Sequence, residues 1–207
     1  MVDLAELLRR RHMTRSFGPE PVDQALLDEL CELALYAPTA GNSAGVRMTT
    51  LAGDQVSEYL RVATDESWRA NSPRYAGLAR AGAVVIVTSR PQDYLERYAQ
   101  PDKAASGLSD LAAWSVPYWH TDAAMATMSL LLLLEERRLG AALWGSFRRQ
   151  SEVLAWAGVV DELLFATVLV GVGDGGDHPS SSLAREVTPR RERVRRVARG
   201  TTRGPTR

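Results

Sequence analysis

The sequence predicts a layered fold of helices and strands, of the α/β or α+β class. Segments whose apolar residues recur at helical spacing follow one another along the chain, with short β-branched runs between them. No Asn-Gly pair or similar tight-turn signal joins two such runs, which argues against consecutive hairpin strands. Helices should therefore connect the strands and pack their apolar faces on the sheet.

The first part of the chain predicts two helices, a loop and a strand. Leucines recur at helical spacing within Asp3–Arg11, and a Gly-Pro pair then breaks the chain. Asp23 can cap a second helix, which should end near Tyr36. The small residues of Ala37–Gly45 indicate a loop, and Val46–Leu51 indicates a strand.

The middle of the chain predicts a helix over Asp54–Ser67 and a buried strand over the β-branched run Ala81–Thr88. Another helix should begin at Pro91 and reach Tyr98. The polar segment Asp102–Asp110 is rich in small residues, so we expect a mobile loop there.

The strongest helix signal covers Tyr118–Leu139. Its longest uncharged run, Ala123–Leu134, has 12 residues and is too short to cross a bilayer, so it indicates a buried helix. Gly140 should end this helix with a positive φ. The remaining elements are expected to be a strand over Ala141–Ser146, a helix over Gln150–Trp156 and a strand over Leu163–Val172.

Composition narrows the class of protein. The 207 residues predict one domain, or one domain with a small cap, and the formal net charge of zero gives no general attraction to nucleic acid or membrane. Charge is uneven, however, because Ala184–Arg207 carries nine Arg and two Glu. A solvated basic tail explains this segment, and its first arginines could also fold back onto an anionic ligand. The segment lacks the interleaved aromatics of a nucleic-acid site.

The single cysteine indicates a reducing compartment, and the spacing of the histidines gives no indication of a metal site. Cys31 is the single cysteine and falls in an apolar helical pattern, so we expect it in the core of a cytoplasmic protein. No hydrophobic signal segment follows the N-terminus. The three histidines lie far apart in sequence, and no metal is expected.

Three segments have the composition of a ligand site, although each alone has an ordinary structural explanation. Arg9–Arg15 holds four Arg and one His, which suits a phosphate but also a solvated helix end. Ala37–Gly45 would let backbone approach a flat ligand. The third pairs the helix start Ser115–Ala126 with Leu139–Phe147, where Trp144-Gly145 could present backbone N–H groups.

In order and spacing, these segments resemble the nitroreductase-like FMN-dependent oxidoreductases. The stretches Arg97–Lys103 and Trp114–Ala126 most resemble an actinobacterial-type branch of that family. That family has an Arg-Arg-Ser-x-Arg-x-Phe segment, then Pro-Val, Ala-Pro-Ser-x-x-Asn, and Leu-Gly-x-x-x-Trp-x-Gly. The matching residues here are Arg11, His12, Met13, Thr14, Arg15, Phe17, Pro21, Val22, Ala37, Pro38, Thr39, Asn42, Leu139, Gly140, Trp144 and Gly145. The similarity runs from about Asp3 to Arg196.

The resemblance implies an α+β three-layer fold, with a central, mostly antiparallel sheet flanked by helices, in an intertwined homodimer. Residues 1–196 would form one flavin-binding domain, and residues 197–207 a flexible basic tail. Arg11, His12, Met13 and Arg15, with Arg190 or Arg191, would surround the phosphate and ribityl chain, while Arg9 and Arg10 stay in solvent. Pro38, Thr39, Ala40 and Asn42 would approach the ring from the other subunit, and the backbone of Trp144 and Gly145 would lie at its redox-active edge.

The implied reaction is ping-pong. NAD(P)H would reduce FMN, which would pass a hydride or electrons to a small electron-poor substrate such as a nitroaromatic, quinone or enone. The flavin carries the chemistry, so no catalytic side chain is implied. The alternatives are a flavin-sequestering protein with little turnover, or a specialised member that fragments or desaturates its substrate or uses a deazaflavin reductant.

The sequence departs from the family pattern near the expected cofactor. Met13 replaces a small hydroxyl residue, which removes one phosphate hydrogen bond or leaves it to the backbone. Ala44, Gly45 and Val46 replace a polar residue and an aromatic. This change could enlarge the substrate pocket or weaken nicotinamide binding, so it concerns the reductant more than the flavin. Tyr118, Trp119 and His120 are candidates for a substrate-facing cluster beside Asp122, whose carboxylate could equally be an ordinary helix N-terminal group.

Overall fold

A four-stranded antiparallel sheet organises the N-terminal unit of the chain. Its strands are β1 (Val46–Ala52), β2 (Ala83–Ser89), β3 (Gly140–Trp144) and β4 (Leu163–Gly171), in the spatial order β1-β2-β4-β3. Each neighbouring pair runs antiparallel. The antiparallel ladder confirms the α+β class, and helices make the connections between strands.

The computed structural model describes residues 3–145, 148–177 and 184–196. Two units are distinguished, Met1–Asp177 and His178–Arg207, and the described part of the second contains a short 3-10 turn at Arg190–Arg193. The predicted basic tail, residues 197–207, lies outside the described residues, and the single-domain assignment to residues 1–196 stays a prediction.

Eight α-helices are described in the first unit. They are α1 (Leu4–Arg10), α2 (Gln24–Ala34), α3 (Asp54–Ala63), α4 (Glu66–Asn71), α5 (Tyr75–Leu78), α6 (Pro91–Tyr98), α7 (Tyr118–Glu136) and α8 (Gln150–Trp156). Among the described residues, none of these helices combines the length and apolar character needed to cross a membrane.

The two faces of the sheet carry separate cores, which gives three layers. On one face Val85 and Val87 pack with the buried residues of α2 and α7. On the other face Val84 and Ile86 pack with those of α3 and α8. Successive residues of a strand point to opposite faces of the sheet. Because each face of β2 is covered by one of the two cores, all of its residues are buried.

Local signals explain the helices that were predicted well. The Asp23 carboxylate accepts from the backbone N–H groups of Ala25 and Leu26 and caps α2. Pro91 occupies the first turn of α6, where its missing N–H has no cost. Cys31 is buried in the core, as expected, and burial raises the pKa of its thiol to about 12.

The helix predicted over Asp54–Ser67 is two helices. Thr64 follows α3 in an extended conformation (φ −136°, ψ 152°), and a new helix begins at Glu66. The Thr64 hydroxyl donates to the Leu60 carbonyl, which is the local bonding by which Ser and Thr compete with helix continuation. The interruption places α4 beside the end of β3, because Trp68 packs against Trp144.

The prediction for Gly140 is wrong. The left-handed residue after α7 is Arg138, with φ 59°, and Gly140 begins β3. A Cβ at position 140 would lie 2.7 Å from the Thr14 Oγ1 atom, far inside van der Waals contact. Close packing against the N-terminal segment, rather than backbone handedness, therefore requires glycine here.

The segment after α1 runs alongside β3 and continues to the end of the sheet. The Thr14 N–H donates to the Ala141 carbonyl at 2.9 Å, and Phe17 forms an antiparallel bridge with Gly173. The Phe17 ring is fully buried. These contacts fix the basic segment at the edge strand that leads to Trp144 and Gly145.

Candidate functional site

The side chains of the basic segment Arg9–Arg15 lie in two different environments. His12 and Thr14 line a cavity of about 590 Å³ together with Arg10, Arg138 and Gly140. The Met13 thioether instead accepts from the Leu143 N–H at 3.3 Å. His12 is thus placed in a cavity that Arg11, Met13 and Arg15 do not line, although the sequence grouped these residues together.

Arg10 and Arg11 differ in what their guanidinium groups contact. Arg10 is not left to solvent, because it forms an ion pair of 2.6 Å with Glu135 that joins α1 to α7. Arg11 is partly buried, and its Nη1 atom is buried without a hydrogen-bond partner among the described residues. An unsatisfied buried cationic donor is costly, so this atom is suited to receive an anionic oxygen.

Arg15 is already partnered within the segment. Its Nη1 group donates to the Met13 carbonyl at 3.3 Å, and its backbone N–H donates to Asp177 at 2.7 Å. Of Arg11 and Arg15, the two arginines expected at the phosphate, Arg11 is the one with a buried guanidinium nitrogen that lacks a partner among the described residues.

The small-residue loop has an unusual backbone. Gly41, Asn42 and Ala44 all have positive φ, at 63°, 57° and 52°. Only glycine adopts this region without steric cost, although asparagine tolerates it better than most residues. Within the loop, the Thr39 hydroxyl accepts from the Ala44 N–H at 3.1 Å. Pro38 and Asn42 are exposed, so the loop presents both to its surroundings.

Asp122 anchors this loop to α7. Its carboxylate is 1% exposed, and Oδ2 accepts from the Ala40 N–H at 2.8 Å and from the Tyr94 hydroxyl at 2.9 Å. Burial, and then this hydrogen bond, raise the pKa of Tyr94, so the phenol stays a donor. The helix-dipole interpretation of Asp122 misses these contacts.

One sequence signal could have identified Asp122. Trp119, Asp122, Ala123 and Ala126 all belong to the buried side of α7, at spacings of three, four and seven. A carboxylate on an otherwise apolar helix stripe requires buried donors.

Arg97 holds the same loop from α6. Its Nε group donates to the Gly41 carbonyl at 2.8 Å. Its two terminal nitrogens donate to the Asp102 carboxylate at 2.8 and 2.7 Å, a two-point pair that fixes the guanidinium plane. The Asp102–Asp110 segment includes a 3-10 turn at Ala104–Ser106, and its expected mobility stays a prediction.

The three aromatic candidates at the start of α7 lie in different environments. Tyr118 lines a cavity of about 300 Å³ with Ala40, Tyr98 and Trp114. Trp119 is 8% exposed and packs against Tyr94 and Trp114, so it supports the wall of this region. His120 lies 6.5 Å from the Phe165 ring, and desolvation lowers the pKa of its imidazole.

Trp144 and Gly145 line a separate cavity of about 570 Å³ at the end of β3. Trp68 and Asn71 of α4 line it as well, and the Trp68 and Trp144 rings are 5.5 Å apart. No signal in the sequence connected α4 with this site, because Trp68 and Trp144 lie far apart along the chain.

Arg190 and Arg191 lie exposed in the second unit. Their place at a phosphate stays a prediction. Among the residues described, no cluster of three metal-ligating side chains occurs.

Comparison with known proteins identifies relatives of the whole fold. The family model described as "Nitroreductase family" matches residues 8–174. A comparison with curated proteins gave no match. Similar solved structures include a nitroreductase family protein from Streptococcus pneumoniae (18% identity, TM-score 0.71), covering 94% of this chain and 100% of that one.

Two further similar structures concern proteins that are described in connection with FMN. A proposed NAD(P)H:FMN oxidoreductase from Staphylococcus epidermidis is 16% identical, with a TM-score of 0.68, covering 96% of this chain and 97% of that one. A proposed nitroreductase from Desulfovibrio desulfuricans, solved in complex with FMN, is 17% identical, with a TM-score of 0.60, covering 91% and 99%. At these identities the likeness concerns the fold, while the family match covers most of the sequence. The chain belongs to the nitroreductase family.

Proposed function

We propose that this protein is an FMN-dependent oxidoreductase that transfers a hydride or electrons from NAD(P)H to a small electron-poor organic substrate, by a ping-pong mechanism. Nitroaromatics, quinones and enones are the substrate classes. The observation that carries the proposal is the buried Arg11 Nη1 donor, which has no hydrogen-bond partner among the described residues. Arg11 begins the segment in which Met13 and Thr14 contact Leu143 and Ala141 of β3, the strand that ends at the cavity lined by Trp144 and Gly145. The choice of cofactor is supported by the Staphylococcus structure, described as a proposed NAD(P)H:FMN oxidoreductase, and by the Desulfovibrio structure, solved in complex with FMN.

The phosphate end of FMN fits the donor set of the basic segment. A phosphate is best held by guanidinium groups, and Arg11 has an N–H without a protein acceptor in the described chain. Arg15 would supply further positive charge from the same segment. Met13 cannot donate a hydrogen bond from its side chain, so more of the phosphate binding would fall to Arg11.

The ring end fits the cavity at the end of β3. Trp68 and Trp144 supply flat apolar surface, and the Asn71 amide offers both a donor and an acceptor. Backbone N–H groups at Trp144 and Gly145 would face the redox-active edge. The loop residues Pro38, Thr39, Ala40 and Asn42 would approach the ring from the partner subunit, with Pro38 and Asn42 exposed in the protomer.

FMN, when bound, would carry the electrons between NAD(P)H and the substrate. The residues of the chain bind the phosphate, orient the ring and exclude water. No acid or base side chain is assigned a proton transfer. Tyr118, on the wall of the cavity that Ala40 also lines, is the substrate-pocket candidate that the geometry favours.

The proposed working form is a cytoplasmic homodimer, and apolar side chains on the protomer surface support it. Met125 and Met128 of α7 are 41% and 36% exposed, and Tyr36 is 87% exposed. Helix faces with exposed apolar side chains of this size favour burial against a second copy. We propose no nucleic-acid or membrane partner.

The visible absorbance spectrum tests this function directly. Protein incubated with FMN and freed of excess ligand should be yellow, and anaerobic NADH or NADPH should bleach it. A nitroaromatic or quinone should then restore the colour. A protein that retains no flavin would contradict the proposal, and one that holds flavin without bleaching would favour the flavin-sequestering alternative.

A further inference from the structure

We propose that Asp122 and Arg97 form a two-sided clamp on the Thr39–Ala44 loop, and that they are positioning residues for the flavin ring. The inference rests on the proposed function, since it assigns residues that act on the ring through the loop. Neither side chain is itself assigned a contact with the cofactor.

The loop needs an external restraint because its backbone is strained. Asn42 and Ala44 both carry a Cβ atom and adopt the left-handed region, on either side of Ser43. Such residues persist only where the surrounding structure determines their conformation. The Ala44 N–H donates to the Thr39 hydroxyl and Arg47 of β1 donates to the Ala44 carbonyl at 2.9 Å, so these contacts hold the Ala44 end of the loop. They do not hold Ala40 and Gly41.

Asp122 supplies the first restraint from the core. Its carboxylate is buried, yet within the described residues it takes part in no ion pair. A buried carboxylate without a cation depends on hydrogen-bond donors, and the Ala40 N–H and the Tyr94 hydroxyl provide them. The loop amide therefore helps satisfy a charge whose burial would otherwise be unfavourable.

Arg97 supplies the second restraint, and it acts on Gly41, the residue after Ala40. It donates to the Gly41 carbonyl, and Asp102 holds its guanidinium plane in place. Gly41 also lies against the Tyr98 ring, where an added Cβ would come within 2.8 Å of the ring carbon Cε2. The two charged side chains thus grip successive residues, at an N–H and at a C=O.

The clamp has a functional consequence because it holds the loop whose exposed residues, Pro38 and Asn42, are among those proposed to meet the ring. A loop that is already ordered loses less conformational entropy when a ligand binds. Without the clamp, the left-handed residues would relax, and FMN binding would have to re-order them. The clamp should therefore affect the ring end of the ligand and leave the phosphate end unchanged.

The test compares FMN with riboflavin, which has the same ring but no phosphate, in flavin-fluorescence titrations of the full chain. In Asp122→Ala and in Arg97→Ala, the Kd should rise about tenfold, by the same factor for both ligands. Asp122→Asn should change it by less than about threefold, because the amide oxygen can still accept from the Ala40 N–H. Arg11→Ala is the reference, and it should weaken FMN much more than riboflavin.

Thermal melts and far-ultraviolet circular dichroism first establish which variants are folded at the titration temperature. Arg97 is at the surface edge of the loop, with a side chain 21% exposed, so Arg97→Ala provides the test if Asp122→Ala does not fold. The near-ultraviolet and visible circular dichroism of bound flavin should also change in the clamp variants.

Unchanged affinities for both ligands in folded Arg97→Ala and Asp122→Ala would overturn the clamp. So would a loss confined to FMN, because this would place the effect at the phosphate. A wild-type protein that binds neither ligand would instead overturn the proposed function together with the inference.

Discussion

At the scale of single residues, the structure distinguishes arginines that look equivalent in the sequence. Arg10 is paired with Glu135, and Arg15 donates to a neighbouring carbonyl. Arg11 retains a buried donor without a partner in the described chain. Because burying a cationic donor without an acceptor is unfavourable, an anion that binds Arg11 gains more than one that meets a solvated arginine.

Replacement of Arg11 by Ala should therefore weaken FMN binding by about 1.5–3 kcal/mol, the range for a hydrogen bond to a charged group. Arg9→Ala is the matched control, since Arg9 is exposed on the same helix end and should change affinity little. Titration of flavin fluorescence measures both. Equal affinities for wild type and Arg11→Ala would remove Arg11 from the phosphate site.

Gly140 allows a second prediction at the scale of single residues. Two explanations for the glycine predict opposite orders of stability for the variants Gly140→Ala and Gly140→Asn. Steric contact with Thr14 predicts that Gly140→Ala destabilises the fold by about 1–3 kcal/mol and that the larger Gly140→Asn is worse. A left-handed backbone would instead favour Asn over Ala. Chemical denaturation of the two variants decides the question, and an Asn variant more stable than the Ala variant would contradict the steric explanation.

At the scale of elements, the buried hydrogen bond between Tyr94 and Asp122 joins α6 to α7. Tyr94→Phe keeps the ring and its packing against Trp114 and Trp119 but removes the donor to a buried carboxylate. We expect a loss of about 1–3 kcal/mol in the free energy of unfolding, because the carboxylate loses one of its donors. Chemical denaturation near neutral pH measures it, with Tyr36→Phe, an exposed tyrosine, as control.

The same bond has a pH dependence with a defined sign. The pKa of Tyr94 is raised in the folded state above its ordinary value of about 10. The hydrogen bond to Asp122 therefore makes its full contribution to the free energy of unfolding below about pH 10. As pH rises beyond about 10, the unfolded state loses this proton first, and the stabilisation declines. The difference in stability between wild type and Tyr94→Phe should therefore shrink in alkali, and a difference that grows there would contradict the assignment.

At the scale of the whole molecule, the proposed site is complete only if a second copy brings its loop to the ring. The exposed Met125 and Met128 of α7 are proposed to be covered in that assembly. Met128→Glu should shift the protein towards monomer, since burying a carboxylate at an apolar interface is costly. FMN affinity should fall with it.

Light scattering coupled to gel filtration measures the oligomer, and a flavin titration of the same samples measures affinity. Val160→Glu is the matched control, because Val160 is 75% exposed and lies outside α7. A wild-type protein that is monomeric while it holds FMN would contradict both the dimer and the shared site.

Much of the architecture could be predicted because it is encoded locally. Asp23 caps α2, Pro91 opens α6, and the β-branched run of β2 is buried on both faces, and all three are readable within a few residues of sequence. The order of the basic segment, the small-residue loop and the Trp-Gly strand was likewise sufficient to indicate the family.

Only the tertiary structure decided which atoms of these segments meet. Asp122 reaches a backbone amide 82 residues away, and Met13 reaches one 130 residues away. Gly140 is required by Thr14 and not by its own backbone. Periodicity and caps are local properties of the chain, whereas buried charges and close contacts depend on partners that folding brings from distant segments. For that reason the sequence by itself determined the layers and the candidate segments. The structure decided that Arg11 has a buried donor without a partner in the described part of the chain, and that Asp122 and Arg97 hold the loop.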